Sequence, residues 1–417
     1  MRIQRCKGTR DLSPDEMSVF CGIEGTFRDC CLNWGYKEVR TPTIEYLHLF
    51  TSAGMLTTGM LSRVYSFLDW DGWSGERVVL RPDGTIPVTR LYIDNMQDKG
   101  LARLFYITNI FIFEETGKKN RERWQCGVEL IGVGTPMADT ELIAMSLEVL
   151  NKLDITGVEI RLSHAGLIKS FLEKLGLSRE EQARLFDEIL DGDAAALAKI
   201  RPDTPELESV LLPLLNLKGQ SSGFLKNIKA VAVRNYPEIV PHIDDFISIV
   251  DNIKALGYRC HIDIASGAGF EYYTGVIFQL FVGNEKIGGG GRYDALIPIM
   301  GGPNIPASGF ALYLDRLMNI VKPLNSAKIA PERVSIRIKP REIEAIKAGF
   351  EIARELREAG YIAEIDLGNQ EPGNLGLIVD VRNEAPYFTI LDNGSSKRIE
   401  VETCGEVIIY LKAANVD

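Results

Sequence analysis

The sequence predicts an α+β protein with a helical insertion and a small C-terminal α/β unit. Up to about residue 163, short strand-like runs alternate with segments of helical period. From about 164 to 255, Leu, Ala, Glu, Asp and Lys dominate and nearly every segment has helical period, which indicates an inserted helical region. From 334 to 417, strand-like runs flank an amphipathic helix. A linker at 322–333 is expected to separate this unit from a core at 1–321.

The core is expected to begin with a helix over Glu16–Trp34. Ser13 and Pro14 suit its N-cap and first position, and Gly35 ends it. Four strands and a second helix are expected to follow. The helix is predicted at Ala138–Leu153. The strands are predicted at Tyr36–Pro42, Arg77–Leu80, Leu104–Phe113 and Trp124–Val133.

Strands resume after the insertion. Gly283 and Asn284 are a hairpin turn signal between two of them. Gly309–Val321 is an apolar segment of helical length. The other predicted elements are strands at His261–Ile264, Tyr273–Val282 and Lys286–Arg292, then in the C-terminal unit strands at Val334–Ile338, Tyr361–Asp366 and Leu377–Val379 and a helix at Glu342–Ala359 closed by Gly360.

Composition excludes several classes of protein. Of 417 residues, 45% are apolar and 25% charged, which is typical of a folded soluble protein. The sequence has neither an apolar run of the ~18 residues that a membrane span needs nor the apolar region of a signal peptide. Seven cysteines without paired spacing suggest reduced thiols in the cytoplasm, and the spacing of the four histidines argues against a zinc site.

The charge balance bears on nucleic-acid binding. The chain has 47 basic and 57 acidic residues, a formal charge of −10, and 334–417 carries 10 basic and 15 acidic residues, a net −5. Binding to nucleic acid depends on phosphate neutralisation, so an acidic balance counts weakly against it. The run that includes Lys118, Lys119, Arg121 and Arg123 is either a solvated loop or a phosphate contact.

Two short patterns point to a ligand site. The run Gly288–Asp294 lacks the lysine of a phosphate loop, and its glycines favour a strand that something approaches closely. Gln125, Gly127 and Glu129 share one face of a strand. That face suits a small polar ligand beside the gap left by glycine, although a solvent-facing strand would show the same pattern.

Several blocks, in this order, resemble the histidyl-tRNA synthetase family of class II synthetases over residues 1 to about 321. The resemblance implies an antiparallel sheet flanked by helices and a homodimer formed through the segment around Pro42. The blocks are Gly8–Asp11, Trp34–Tyr36 with Thr41-Pro42, Leu80–Thr85, Gln125–Glu129, Glu271–Gly275, Gly289–Asp294 and Gly309–Phe310 with Asp315-Arg316.

The sequence departs from that family where ATP would react. Two arginines that the family places around the α-phosphate correspond here to Ile112 and Ala268. Losing one such charge-stabilising group costs about 3–4 kcal/mol, roughly 10²–10³ in rate. Ala311 and Tyr313 add bulk where adenine would lie, while Arg316 is kept. These changes predict a chain that does not form an adenylate.

The amino-acid pocket of the family is kept. The resemblance implies that Asp83, Thr85 and Gln125 hold the ammonium group of L-histidine. Glu129 and Tyr273, from the Tyr272-Tyr273 pair, would hold its imidazole ring. Gly289, Gly290 and Arg292 are expected to form the pocket floor.

A kept histidine pocket without the catalytic arginines resembles the regulatory subunits of ATP phosphoribosyltransferase. Further similarities are Gln125–Gly132 followed by Ala138-Asp139, Ser163–Leu167, and Ser308–Leu317. The resemblance implies a catalytically silent subunit of a hetero-oligomer, without cofactor or metal, that binds histidine and partners the short-form catalytic subunit. Two alternatives are an active synthetase that uses Arg121 or Arg123, and a synthetase-like sensor of histidine or tRNA. The acidic C-terminal unit counts against tRNA.

Overall fold

The computed structural model describes residues 4–52, 64–69, 75–113, 120–174, 181–182, 218–264, 273–321, 333–338, 343–367, 377–392 and 397–414. The chain divides into two compact units, Met1–Leu324 and Asn325–Asp417. Lys118, Lys119, Ala268 and Tyr272 lie outside the described residues, as does most of the predicted linker.

The bounds of the regular elements follow. The helices of the first unit are α1 (Pro14–Asn33), α2 (Leu47–Ser52), α3 (Thr85–Asn95), α4 (Pro136–Lys152), α5 (Ala165–Lys174), α6 (Ser222–Asn235), α7 (Val240–Ala255), α8 (Leu296–Ile299) and α9 (Leu314–Ile320). Its strands are β1 (Lys37–Glu38), β2 (Ile44–Tyr46), β3 (Ser66–Leu68), β4 (Arg77–Leu80), β5 (Ala102–Phe111), β6 (Glu122–Ile131), β7 (Val158–His164), β8 (Lys218–Gly219), β9 (Cys260–Asp263), β10 (Val276–Val282), β11 (Glu285–Arg292) and β12 (Ala307–Tyr313).

The first helix begins and ends where the sequence predicts. The Ser13 side chain accepts from the backbone N–H of Glu16, and the Glu16 carboxylate accepts from the Ser13 N–H at 2.7 Å. This reciprocal pair is a capping box. Gly35 follows the helix with φ +81°, a left-handed conformation that favours glycine.

A nine-stranded sheet forms the centre of the first unit, in the order β1-β5-β6-β12-β11-β10-β7-β9-β8. The pairs β1–β5 and β7–β9 are parallel, and the other pairs are antiparallel. The expected antiparallel sheet is therefore mixed at its edges and antiparallel at its centre. A second sheet, β2-β4-β3, is antiparallel.

The prediction of a helix from Gly309 was wrong for its first half. Ala307–Tyr313 forms β12, which pairs with β6 on one side and β11 on the other, and only Leu314–Ile320 is helical. A strand at the centre of a covered sheet is buried on both faces, so its sequence is a continuous apolar run with no alternation. Such a run cannot be distinguished from a buried helix by period alone.

The described part of the insertion is mainly helical, with α5, α6 and α7, but it also adds β8 to the sheet edge beside β9. Helix α7 packs on α4, where the Asn252 amide donates to the Thr140 hydroxyl at 3.1 Å. The helices therefore cover the face of the sheet opposite the pocket described below.

The second unit has a five-stranded sheet in the order β14-β13-β15-β16-β17, in which β13 is parallel to both its neighbours. Its core includes Ile336, Leu356 and Val379. The elements are β13 (Arg333–Ile338), α10 (Ile343–Glu358), β14 (Ile362–Ile365), β15 (Leu377–Val381), β16 (Phe388–Asp392), β17 (Lys397–Val401) and α11 (Cys404–Ala414). Gly360 has φ +93°, as the predicted C-terminal cap requires.

Within the described residues, no helix has the length and apolarity that crossing a membrane requires. The same residues contain no cluster of three or more His, Cys, Asp or Glu side chains that could hold a metal ion.

Candidate functional site

A pocket lies on the face of the four central strands opposite the helices of the insertion. The register places Gly309 of β12 between Glu129 of β6 and Gly291 of β11, and Ala311 of β12 between Gly127 and Gly289. The pocket contains about 490 Å³ of space, part of it open to solvent. Its lining consists of Asp83, Thr85, Gln125, Tyr273, Ile277, Phe278, Gln279, Lys286, Gly289, Gly290, Tyr293, Gly309, Phe310, Ala311 and Tyr313.

The floor is built of glycines because nothing larger fits. A Cβ on Gly309 would lie 2.0 Å from Oε2 of Glu129, and one on Gly290 would lie 2.0 Å from the carbonyl oxygen of Gly309. A Cβ on Gly291 would lie 2.9 Å from the Tyr273 ring. The glycine run is therefore the strand of close backbone approach that the sequence predicts.

Asp83 is a buried carboxylate just before α3. Its Oδ1 accepts from the backbone N–H of Ile86 at 3.0 Å, and the side chain is 3% exposed. Burial raises the pKa of Asp83 to about 6, although backbone N–H groups at the start of α3 favour the charged form. A positively charged ligand group beside Asp83 would stabilise the ionised carboxylate.

Glu129 lies deeper, on β6. The hydroxyl of Tyr293 donates to Oε2, whereas Oε1 is buried and has no hydrogen-bond partner. Burial raises the pKa of Glu129 to about 8, and the hydroxyls of Tyr293, Thr85 and Tyr106 offset only part of this effect. A ligand N–H group beside Oε1 would favour the ionised carboxylate.

Gln125 places a second unpaired acceptor in the pocket wall. Its side chain is 5% exposed, and Oε1 is buried without a hydrogen-bond partner. Nearby, the Thr85 hydroxyl lies 3.5 Å from that of Tyr106. A buried acceptor that lacks a partner costs about 1–3 kcal/mol. Two such acceptors in one pocket, on Gln125 and Glu129, favour a ligand that brings N–H donors.

Tyr106 and Tyr293 are site residues that the sequence analysis missed. The Tyr106 ring fills the space beside two glycines, since a Cβ on Gly84 or Gly127 would lie 2.3 or 2.1 Å from it. The gap left by Gly127 is therefore occupied by protein. In the sequence, Gly84 and Gly127 indicate only that some group lies close to the backbone. The pairing of Tyr106 with Gly127 across β5 and β6 identifies that group as the Tyr106 ring.

Most of the predicted site residues come together in the described structure. Asp83, Thr85, Gln125, Tyr273, Gly289 and Gly290 line the pocket, and Glu129 meets it beside Gly309. Tyr272 and Ala268 fall outside the described residues. Tyr273 is held by Lys169 of α5, whose ammonium donates to the Tyr273 carbonyl oxygen at 2.8 Å.

Arg292 is not part of the pocket floor. It alternates with Gly291 and points to the helical face of the sheet, where its guanidinium pairs with Asp139 of α4 and, at 3.0 Å, with Asp245 of α7. Ser308, its neighbour on β12, donates to Asp139 at 3.0 Å. Arg292 therefore connects the sheet to α4 and to the insertion.

The region where ATP would lie has few available cations among the described residues. Ile112 directly follows β5, and its backbone N–H donates to the carbonyl oxygen of Arg121 at 2.9 Å. The Arg121 guanidinium lies over the Phe113 ring, 4.6 Å from its centre, and Arg123 donates to the carbonyl oxygen of Asn120 at 3.1 Å.

The residues after β12 are also engaged. Asp315 accepts from Arg10 at 2.9 Å and from the backbone N–H of Trp124 at 2.6 Å. Arg316 pairs with Glu285 at the β10–β11 hairpin. Tyr313 lines the pocket in register with Gln125. The nucleotide side is thus occupied by an aromatic ring and by ion pairs internal to the chain.

Comparison with known proteins finds relatives that match nearly the whole chain. A family model described as histidyl-tRNA synthetase matches residues 8–317. An ATP phosphoribosyltransferase regulatory subunit of Dehalococcoides mccartyi strain BAV1 is 50% identical over 409 residues, covering 98% of each chain. A histidine–tRNA ligase of Methanococcus aeolicus is 32% identical over 377 residues, covering 88% of this chain and 87% of the ligase.

Solved structures show the same fold. A protein of Bacillus halodurans described as an ATP phosphoribosyltransferase regulatory subunit/histidyl-tRNA synthetase has a TM-score of 0.75 at 23% identity, covering 89% of this chain and 95% of that one. A histidyl-tRNA synthetase from Nostoc sp. PCC 7120 has a TM-score of 0.73 at 18% identity and covers 99% of this chain and 100% of that one. The chain belongs to the histidyl-tRNA synthetase family of class II fold and, within it, to the ATP phosphoribosyltransferase regulatory subunits.

Proposed function

We propose that the chain is a non-catalytic subunit that binds L-histidine and controls an ATP phosphoribosyltransferase catalytic subunit. The main support for this ligand is the pair of buried acceptors without hydrogen-bond partners on Gln125 and Glu129, together with the Asp83 carboxylate in the same pocket. An amino acid whose side chain carries an N–H group supplies donors at both ends.

The expected pose follows from the depth of each group. The ammonium group of histidine lies against Asp83, Thr85 and Gln125, where the carboxylate supplies the opposite charge. The imidazole ring lies deeper, towards Glu129 and Tyr273. An ionised Glu129 can accept from a ring N–H, and a protonated one can donate to the unprotonated imidazole nitrogen. Tyr272 remains part of the proposed set.

Catalytic silence is supported by the nucleotide side of the pocket. Adenylate formation accumulates negative charge at the α-phosphate and requires fixed cations there. Ile112 supplies none, while Arg121 packs on Phe113 and Arg316 pairs with Glu285. These contacts argue against the alternative of an active synthetase that uses Arg121 or Arg123.

The partners proposed are a short-form catalytic subunit and a second copy of this chain. The sheet β2-β4-β3, which follows Pro42, exposes Ile44, Tyr46 and Phe67 on one face by 43–50% each. This apolar surface suits the homodimer expected from the family. The net charge of −5 over 334–417 disfavours a tRNA partner. All seven cysteines are free thiols, which fits the reducing cytoplasm.

The test has two parts. Calorimetric titration of the full chain with L-histidine measures binding directly, with Asp83→Asn as the variant that should weaken it and Asp94→Asn, at an exposed helix end, as the control. The activity of the catalytic subunit, with and without this chain and histidine, measures control. Regulation requires that histidine bind two states of the complex with different affinities. Absence of both histidine binding and any effect on the catalytic subunit would contradict the proposal.

A further inference from the structure

The pocket carries one positive side chain on its described lining, Lys286 at the start of β11. Its lysine stem lies over the glycine floor, since Cε is 3.6 Å from the position of a Cβ on Gly289. Lys286 is half-buried. It stands in the same pocket as Asp83, the carboxylate of the described lining, so the walls present one charge of each sign.

A β-bulge directs Lys286 towards the pocket. Leu280 of β10 is paired with Gly288, but the next residue, Phe281, is paired with Lys286, so Ile287 has no place in the register. Regular alternation from Gly289 and Gly291, which face the pocket, would turn Lys286 to the opposite face. A bulge inserts one residue and re-aims the side chains beyond it, and bulges are frequent beside functional sites.

We infer that Lys286 binds the α-carboxylate of the amino-acid ligand, and this inference rests on the proposed function. A zwitterion held by Asp83 at its ammonium group still needs a cation for its carboxylate. The resemblance implies that the family arginine that bridges the carboxylate and the α-phosphate corresponds here to Ile112, which has no charge. Lys286 approaches from a different strand, and so it can neutralise the carboxylate without rebuilding the site for ATP.

The consequence is a specificity for amino acids over the corresponding amines. Histamine shares the ammonium group and the imidazole ring with L-histidine but lacks the carboxylate. The wild-type chain should bind L-histidine about 10- to 100-fold more tightly than histamine, the range expected when a charge-assisted contact is lost. Lys286→Met should bring the affinity for L-histidine close to that for histamine, and Lys286→Arg should keep most of the preference.

The experiment is calorimetry of the full chain with both ligands. The variants are Lys286→Met, Lys286→Arg and, as a surface control, Lys99→Met, each checked by thermal denaturation. A Lys286→Met variant that binds both ligands with the wild-type preference would overturn the inference and leave the proposed function intact. A folded variant that loses both ligands equally would overturn it too. A wild-type chain that binds neither ligand would overturn the proposed function and the inference with it.

Discussion

The two halves of the pocket differ in how their polar groups are satisfied. In the amino-acid half, Gln125 and Glu129 each keep a buried acceptor without a hydrogen-bond partner. On the side where the family resemblance would place ATP, Arg121 and Arg316 do not line the pocket and are engaged by groups of the same chain. Unpaired buried acceptors lower stability, so an arrangement that retains them is expected where a ligand pairs them. The difference supports the proposal that the pocket binds an amino acid and not a nucleotide.

The largest expected effect comes from filling the floor of the amino-acid half. The Cβ added by Gly309→Ala would lie 2.0 Å from Oε2 of Glu129 and 2.5 Å from the carbonyl oxygen of Val128. Glu129 must move, and the affinity for L-histidine should fall by more than about 100-fold. Titration calorimetry measures the loss.

The matched control for this variant is Gly25→Ala. Gly25 lies inside α1 with no atom within 4 Å of a Cβ, so its substitution should leave binding unchanged and favour the helix slightly. Histidine binding by folded Gly309→Ala at the wild-type affinity would show that the ligand does not rest on this floor.

The second prediction concerns stability and pH. The pKa of Glu129 is raised from 4.5 to about 8, so between these values the folded state holds a proton that the unfolded state releases. The wild-type chain should therefore lose stability as pH rises from about 5 to 8, relative to Glu129→Gln, which cannot ionise. The pH-dependent part should amount to about 3 kcal/mol and level off above pH 8.

Chemical denaturation of both proteins at several pH values measures this difference. Asp139→Asn is not a suitable control, because the Asp139 carboxylate is already paired with Arg292. Gln125→Glu is more useful, because it adds a second carboxyl to the same pocket and should increase the pH dependence of stability. Identical pH dependence in wild type and Glu129→Gln would mean that Glu129 is ionised when the pocket is empty.

A smaller effect is expected from Gln125→Met, which keeps the length of the side chain and removes the acceptor. The affinity for L-histidine should fall about 10-fold, because the ammonium group loses one of its contacts while Asp83 remains. The unliganded variant should gain stability, since a buried acceptor without a partner is removed. Calorimetry and thermal denaturation test the two parts separately, and unchanged affinity would place the ligand away from Gln125.

The smallest effect belongs to the nucleotide half. Tyr313→Ala should change the affinity for L-histidine by less than about 2-fold, because Tyr313 lines the pocket where the family resemblance would place adenine and is not among the residues proposed to hold histidine. Parallel titration with Gln125→Met gives the comparison. A loss at Tyr313→Ala as large as that at Gln125→Met would erase the distinction between the two halves.

The local pattern on β6 correctly predicted which of its side chains share a face, because that prediction depends on simple alternation. Gln125 and Glu129 share a face of β6 as a period of two requires. The prediction that Arg292 forms part of the pocket floor was wrong, because a run of glycines has no side chains that show which face each residue occupies. Gly291 faces the pocket, and Arg292, the next residue of the strand, therefore faces the helices. The structure, and no local pattern, identifies Tyr106, because its contact with Gly127 arises from pairing between two strands.

The element boundaries illustrate the same limit. The capped helix α1 follows from Ser13 and Glu16, whose signals lie within a single turn. Strand β12 does not follow from its own residues, because its burial comes from β6 on one side and β11 on the other. Interactions between distant segments determine whether such an apolar run forms a strand or a helix. The pairing of β10 with β11 likewise creates the bulge that directs Lys286 towards the pocket.

The most direct test of the difference between the two halves is histidine-dependent exchange of pyrophosphate into ATP, measured with the full chain at a histidine concentration shown by calorimetry to saturate it. The account predicts bound histidine and no exchange above the background without enzyme. Exchange that requires histidine and disappears in Asp83→Asn would contradict it, because the chain would then activate its amino acid as a synthetase does.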